Sequence, residues 1–184
     1  MKHKSTHKKS KKLKLNKFYF VLFWVILFIV VISIFLSTNN SQTITKENLP
    51  SLIVNGNSME PLIKNGEVVY YKEKAYSNSS PKINDVILFK DSRNENLILK
   101  QIKAVPGDKF EYKNSNIYVN GDLLKNSVGE PYKIKSNMLE LYANSYPIIP
   151  KDTYLILGDN PRGSRDSSEF GLVSRKDIIA KVIR

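Results

Sequence analysis

The 184-residue sequence contains no cysteine and two histidines, His3 and His7, both at the extreme N-terminus. Disulfides, a thiol nucleophile, a Ser-His-Asp triad and a His-ligated transition metal are therefore excluded from the body of the chain, which leaves carboxylates, lysines and tyrosines as general bases. The net charge of +12 is uneven: eight lysines and no acid fall in residues 1–17, so the basic excess belongs mainly to a tail.

Residues 18–36 read FYFVLFWVILFIVVISIFL, 19 residues without a charge, Gly or Pro. As a helix this run is roughly 28 Å long, about the hydrocarbon thickness of a bilayer. A cleavable signal peptide has a shorter apolar core and a small-residue cleavage site, and the following Ser37-Thr38-Asn39-Asn40 offers none. The run is expected to be a retained transmembrane helix. The lysines on its N-terminal flank place residues 1–17 in the cytoplasm and residues 41–184 on the extracytoplasmic side. They read as a topology signal, and no nucleic-acid partner is expected.

Residues 37–50 are polar and read as a linker. Residues 51–184 read as an extracytoplasmic domain of short β segments, at 52–54, 67–71, 85–89, 97–105, 109–112, 116–119, 153–157 and 178–183. These are rich in Ile, Val, Tyr and Phe and are punctuated by Gly, Asn, Asp and Pro. Asn120-Gly121 after Ile117-Tyr118-Val119 is a tight-turn signal. Residues 74–82 and 91–96 read as loops, and 125–150 as irregular chain or an inserted hairpin. The sum is an all-β antiparallel domain, a barrel or paired sheets.

Three segments carry candidate chemistry. The first is Gly56-Asn57-Ser58-Met59-Glu60-Pro61, in a turn. Alone, Ser58 reads as an ordinary loop hydroxyl, although Pro61 fixes its own φ and restricts Glu60. The second is LILKQIKAVPGD at 97–108. Strand alternation puts Lys100 on one face with Ile98, Ile102 and Ala104, and Lys103 on the other beside Gln101. A lysine between two isoleucines is expected to be partly buried, and burial favours the neutral amine, a usable base. Lys103 is the weaker candidate. The third is LGDNPRGSRDSSEFG at 157–171, a polar loop after an apolar strand. Its acids lack the ligand rhythm of an EF-hand. Its hydroxyls and amides are of the kind that orient a neighbouring base.

Together these segments resemble the type I signal peptidases, the membrane-bound Ser/Lys leader peptidases. The Ser58 segment is similar to the nucleophile box G-x-S-M-x-P. Asn84-Asp85-Val86-Ile87-Leu88-Phe89 is similar to the strand G-D-V-V-V-F. Lys100 stands six residues before Pro106-Gly107-Asp108, as the base lysine of that family does. Leu157-Gly158-Asp159-Asn160 with Ser164-Arg165-Asp166-Ser167 is similar to G-D-N-R-x-x-S-x-D-S-R. The resemblance implies removal of signal peptides from preproteins after small residues at positions −1 and −3, without a cofactor. It implies Ser58 as nucleophile, Lys100 as base, Ser164 hydrogen-bonding the lysine, and Asp166 bracing the loop. It also implies an oxyanion hole at the Ser58 N–H with help from Gly56. Partners would be preproteins, membrane lipid and a secretion or pilus-assembly machinery. The departures are Leu62, Gln101, Pro161 and Ser168, where Thr, Arg, Arg and Arg are usual, with Arg162 and Arg165 as candidate spatial substitutes. Two alternatives stand beside this reading. One is a specialised or catalytically idle member serving pilus or surface-protein assembly. The other is a self-cleaving Ser/Lys repressor, which would need a DNA-binding N-terminus where the apolar run stands.

Overall fold

The computed structural model describes residues 6–39, 48–91 and 97–184, and within the first helix the side chains of 17–35. The remaining residues, which include most of the expected linker, most of the 91–96 loop and the start of the basic tail, lie outside the described residues. The chain forms two units, 1–44 and 45–184.

The first unit is a single helix, α1 (Thr6–Asn39). Its Lys17–Phe35 stretch has a mean hydropathy of 3.0 and buries none of its surface in the protein, so it is long and apolar enough to cross a membrane. The helix starts inside the segment expected as tail and runs three residues into the expected linker. Nothing in those flanks breaks a helix, because neither contains Gly or Pro.

The second unit is built of two antiparallel sheets. The larger contains β1 (Ser51–Ile53), β2 (Val68–Glu73), β3 (Val86–Lys90), β4 (Leu97–Ala104), β8 (Thr153–Leu157), β9 (Val173–Ser174) and β10 (Ile178–Ile183). Its strand order is β1-β2-β10-β3-β4-β8-β9. The smaller is the meander β5 (Phe110–Lys113), β6 (Asn116–Val119) and β7 (Asp122–Leu123). All eight expected segments are strands. The expected barrel is not closed: β1 and β9 stand at opposite ends of the large sheet and do not pair. At three and two residues, these edge strands are too short to carry a closing ladder.

The turns follow local chemistry. Asn120 (φ 54°) and Gly121 (φ 90°) make the β6–β7 turn, and Asn114 and Ser115, at φ 52° and 63°, make the β5–β6 turn. Two consecutive left-handed residues match the twist of the flanking strands. In the 125–150 region a tight turn brings Lys125 opposite Pro131, so the hairpin expectation holds there. Beyond it the chain forms α2 (Asn137–Ser145), which was not expected. Ser136 caps it by accepting from the Leu139 N–H, and Leu139 is its one buried side chain. A single anchored residue leaves almost no periodic signal. The readable cue was Ser136 ahead of a run of good helix formers. A four-residue helix, α3 (Ser167–Phe170), lies within the third candidate segment.

The core falls into three adjoining groups. Met59, Ile63, Val69, Val86 and Val182 lie beneath the Ser58 turn. Ile87, Phe89, Ile102, Tyr154 and Ile156 fill the centre of the large sheet. Phe110, Ile117, Tyr132, Leu139 and Ile149 join the small sheet to α2. Strand β4 runs through the middle, and its residues from Lys100 to Ala104 are all buried.

Candidate active site

The Ser58 turn is fixed at both ends. Val54 donates to the Glu67 carbonyl and Gly66 donates back to Val54, each at 2.8 Å, which closes the loop after β1. Met59 and Ile63 are buried to within 1% and anchor the residues directly after the serine. Burying each of those side chains contributes about 1.5–3 kcal/mol. The Ser58 carbonyl accepts from the Asn160 N–H at 3.1 Å, and the Leu62 N–H donates to Asp159 Oδ2 at 3.2 Å. The serine is therefore held by the loop after β8 as well as by its own turn.

Lys100 sits at the centre of β4, paired with Ile87 of β3. It is 2% exposed, and its Nζ donates to Ser58 Oγ at 2.9 Å and to the Leu99 carbonyl at 2.8 Å. Burial pushes the ammonium from its ordinary value down to about 8, against the pull of the Asp166 carboxylate. A buried amine with a lowered pKa, in hydrogen-bond contact with a hydroxyl, can take the proton of that hydroxyl at mildly alkaline pH. Beside the pair runs an open groove of about 610 Å³, lined among others by Ile53, Gly56, Ser58, Leu97, Lys100 and Arg165. Its apolar walls and polar floor suit an extended peptide. Among the described residues, no cluster of His, Asp or Glu is placed to hold a metal ion.

Asp166 is 1% exposed. It caps α3 through Oδ1, which accepts from Ser168 N at 3.0 Å, and its Oδ2 accepts from Gly158 N at 2.9 Å. The carboxylate thus ties both ends of the loop that carries Ser164, with backbone N–H groups and no arginine. Arg165 pairs instead with Asp91 at 3.3 Å and with Glu169 at 3.4 Å. It does not substitute for the arginine expected beside Asp166.

Two expectations differ from the observed geometry. Ser164 Oγ is buried next to the site but makes no hydrogen bond, and Lys100 bonds the Leu99 carbonyl instead. The Gly56 N–H donates to Asn65 Oδ1 at 2.9 Å, so in this structure it is engaged within its own turn. The Ser58 N–H is engaged by no other described residue, which leaves it as the backbone donor at the serine.

Several features of the site were not foreseen. Gly158 is close-packed: a Cβ there would overlap Ser164 Oγ and the Ser58 carbonyl oxygen. Asp159 is fully buried and, besides Leu62, accepts from Ser127 N and Ser127 Oγ, which ties the turn after β7 to the serine turn. The alternation expected along β4 fails at Lys103. A bulge interrupts the pairing with β8 between Ile102 and Ala104, so strand parity no longer sets that side chain's direction. Lys103 is 4% exposed, with its Nζ 5.1 Å from the centre of the Tyr132 ring.

The sequence profile of the family described as "Signal peptidase, peptidase S26" matches residues 15–184. The chain belongs to the signal peptidase family, peptidase S26. The chain is 36% identical over 141 residues to signal peptidase IB of Staphylococcus aureus (strain COL), a match covering 70% of this chain and 73% of that protein. It is 31% identical over 134 residues to signal peptidase I P of Bacillus subtilis subsp. natto, covering 69% and 71%. A crystal structure of a signal peptidase I from Enterococcus faecalis V583 aligns with a TM-score of 0.41 at 26% identity, covering 54% of this chain and 94% of that one. The S26 match includes all three segments that frame the site.

Proposed function

We propose that the chain removes signal peptides from exported preproteins as a membrane-anchored endopeptidase with a Ser58–Lys100 dyad. One observation carries this reading: a lysine 2% exposed donates from Nζ to the Ser58 hydroxyl at 2.9 Å. In the acylation step Ser58 Oγ attacks the scissile carbonyl while neutral Lys100 takes the hydroxyl proton. The Ser58 N–H faces the developing oxyanion. Collapse of the tetrahedral intermediate breaks the C–N bond, and protonated Lys100 gives its proton to the leaving amine. Neutral Lys100 then draws a proton from water, whose hydroxide attacks the acyl carbonyl, and the proton returns to Ser58 as the ester breaks. Ser164 has an unengaged hydroxyl beside the dyad. It is assigned the role of holding the amine once Lys100 turns toward a bound peptide. Asp166 is assigned the bracing of that loop.

The anchor is the Lys17–Phe35 span, with residues 1–17 cytoplasmic and 51–184 outside the cell membrane. The eight lysines on the N-terminal flank support that orientation. Membrane lipid and the secretion machinery are the partners this arrangement implies. A catalytically idle role has no support in the site, because the nucleophile and the base are both present and in contact.

The test is cleavage of a preprotein with small residues at −1 and −3 by the full chain in detergent. Ser58→Ala and Lys100→Ala should each fall to background, and the double variant should be little worse than either single one. Cleavage that persists in folded Lys100→Ala would remove the lysine from the mechanism.

A further inference from the structure

A second buried lysine lies close to the dyad, and the reaction above gives it no task. Lys103 is 4% exposed and three residues along β4 from Lys100, a strand distance of about 10 Å. Charged side chains are almost never this buried unless something balances them. Two groups do so here. The Tyr132 ring lies under the Lys103 ammonium, and the Asp159 carboxylate favours its charged form against burial. Tyr132 is itself fully buried, with Asp159 and Asp166 both acting on its hydroxyl. Lys100, Asp166, Tyr132, Asp159 and Lys103 are therefore five buried polar groups linked pairwise by their charges.

The charge balance of that set bears on the base. Two aspartates, Asp159 and Asp166, are buried in it at 0% and 1% exposure. The Asp166 charge favours a protonated Lys100, which is the inactive form, and the Asp159 charge acts on Lys103. In the serine turn the Glu60 carboxylate is turned to its own loop, where it accepts from the Asn65 N–H at 3.1 Å. Strand β3 presents Ile87 opposite it. The remaining cation of the groove, Arg165, is paired with Asp91 and Glu169. That leaves Lys103 as the buried positive charge set against Asp159.

We propose that Lys103 is a positioning residue for the dyad: its buried ammonium, held over Tyr132, balances Asp159 of the catalytic loop and keeps Lys100 free to accept a proton. Lys103 is not a base, because it makes no contact with Ser58. It acts through the field at Lys100. The usual arginine after the base lysine is Gln101 in this chain, and its amide donates to the Asn84 carbonyl at 3.1 Å. The cation buried in this set stands two positions later. The inference rests on the Ser58–Lys100 reading and adds a residue to it.

The test compares the full-length wild type, Lys103→Met and Lys103→Arg in detergent, with kcat/KM measured against pH on one preprotein. Loss of the positive charge makes Lys100 more basic, so the acid limb of Lys103→Met should move up by about half a unit to one unit. Below the limb this is a roughly three- to tenfold loss. At the alkaline plateau the variant should recover to within about twofold of wild type, which a loss of local packing would not allow. Lys103→Arg should keep the wild-type limb. An unmoved limb in folded Lys103→Met, or equal behaviour of the Met and Arg variants, overturns the proposal. If Lys103→Met does not fold, 13C NMR of wild type labelled at lysine Cε decides the matter, with Lys103→Arg assigning the signal. Lys103 must remain an ammonium across the titration of Lys100, and a Lys103 that is neutral at that pH overturns the proposal. Wild-type cleavage that survives Ser58→Ala would instead count against the dyad.

Discussion

Single residues set the geometry of this site to within a fraction of an ångström. Gly158 shows why. Its neighbours on the missing side-chain direction are Ser164 Oγ and the Ser58 carbonyl oxygen, and the second is backbone, which cannot swing aside. Gly158→Ala must therefore displace the serine turn or the Ser164 loop. A displacement near 1 Å at the reacting atoms costs on the order of 100-fold in rate. Gly158→Ala should lose about 100-fold in kcat while the variant remains folded, as steady-state kinetics and far-UV circular dichroism would report. Activity within a few-fold of wild type would mean that the close approach is unimportant. The sequence displayed Gly158 only as part of a polar loop, because a contact across the fold leaves no local pattern. Lys100 was readable for the opposite reason, since a lysine between isoleucines is a local signal, whereas Ser58 alone read as an ordinary loop hydroxyl and stood out only through the resemblance of its box. The engagement of the Gly56 N–H was not readable because its partner, Asn65, is nine residues away.

Among the elements, strands of three or more residues were legible, and the two-residue ones were not. Strands β7 and β9 are two residues each and exist because a neighbouring strand supplies the pairing. The bulge in β4 was invisible in the sequence, and with it the burial of Lys103. The smallest helix makes its own prediction. α3 is four residues long and cannot persist without its cap. Asp166 caps it and also accepts the buried Gly158 N–H. Removing a cap costs about 1 kcal/mol and orphaning a buried N–H about 1–3 kcal/mol. Asp166→Ala should therefore lower the unfolding free energy by about 2–4 kcal/mol in urea titration, with Asp166→Asn losing less because it keeps one acceptor oxygen. A loss below about 0.5 kcal/mol for Asp166→Ala would show that the loop is held by other contacts.

At the scale of the whole molecule, the sequence announces a helix of membrane length followed by a β domain, and composition alone separates them. How the large sheet ends was not legible, because barrel closure depends on whether edge strands meet and not on the pattern within any strand. What unites the β domain chemically is the contrast between a groove with apolar walls and the buried polar groups around its dyad. Those groups keep the base in a poised state: burial lowers the Lys100 pKa, Asp166 raises it, and the balance falls at about 8. In the proposed dyad the neutral amine is the active form, so activity should rise as pH increases through that value. A lysine with the ordinary pKa of about 10.4 would be neutral in well under 1% of molecules at pH 7. The central claim is tested most directly by the pH dependence of kcat/KM for the wild-type chain acting on a preprotein. One ionisation near pH 8, with activity rising on the alkaline side, is the expected result. A step near 6.5, or a profile flat from pH 6 to 9, would contradict a lysine base in this site.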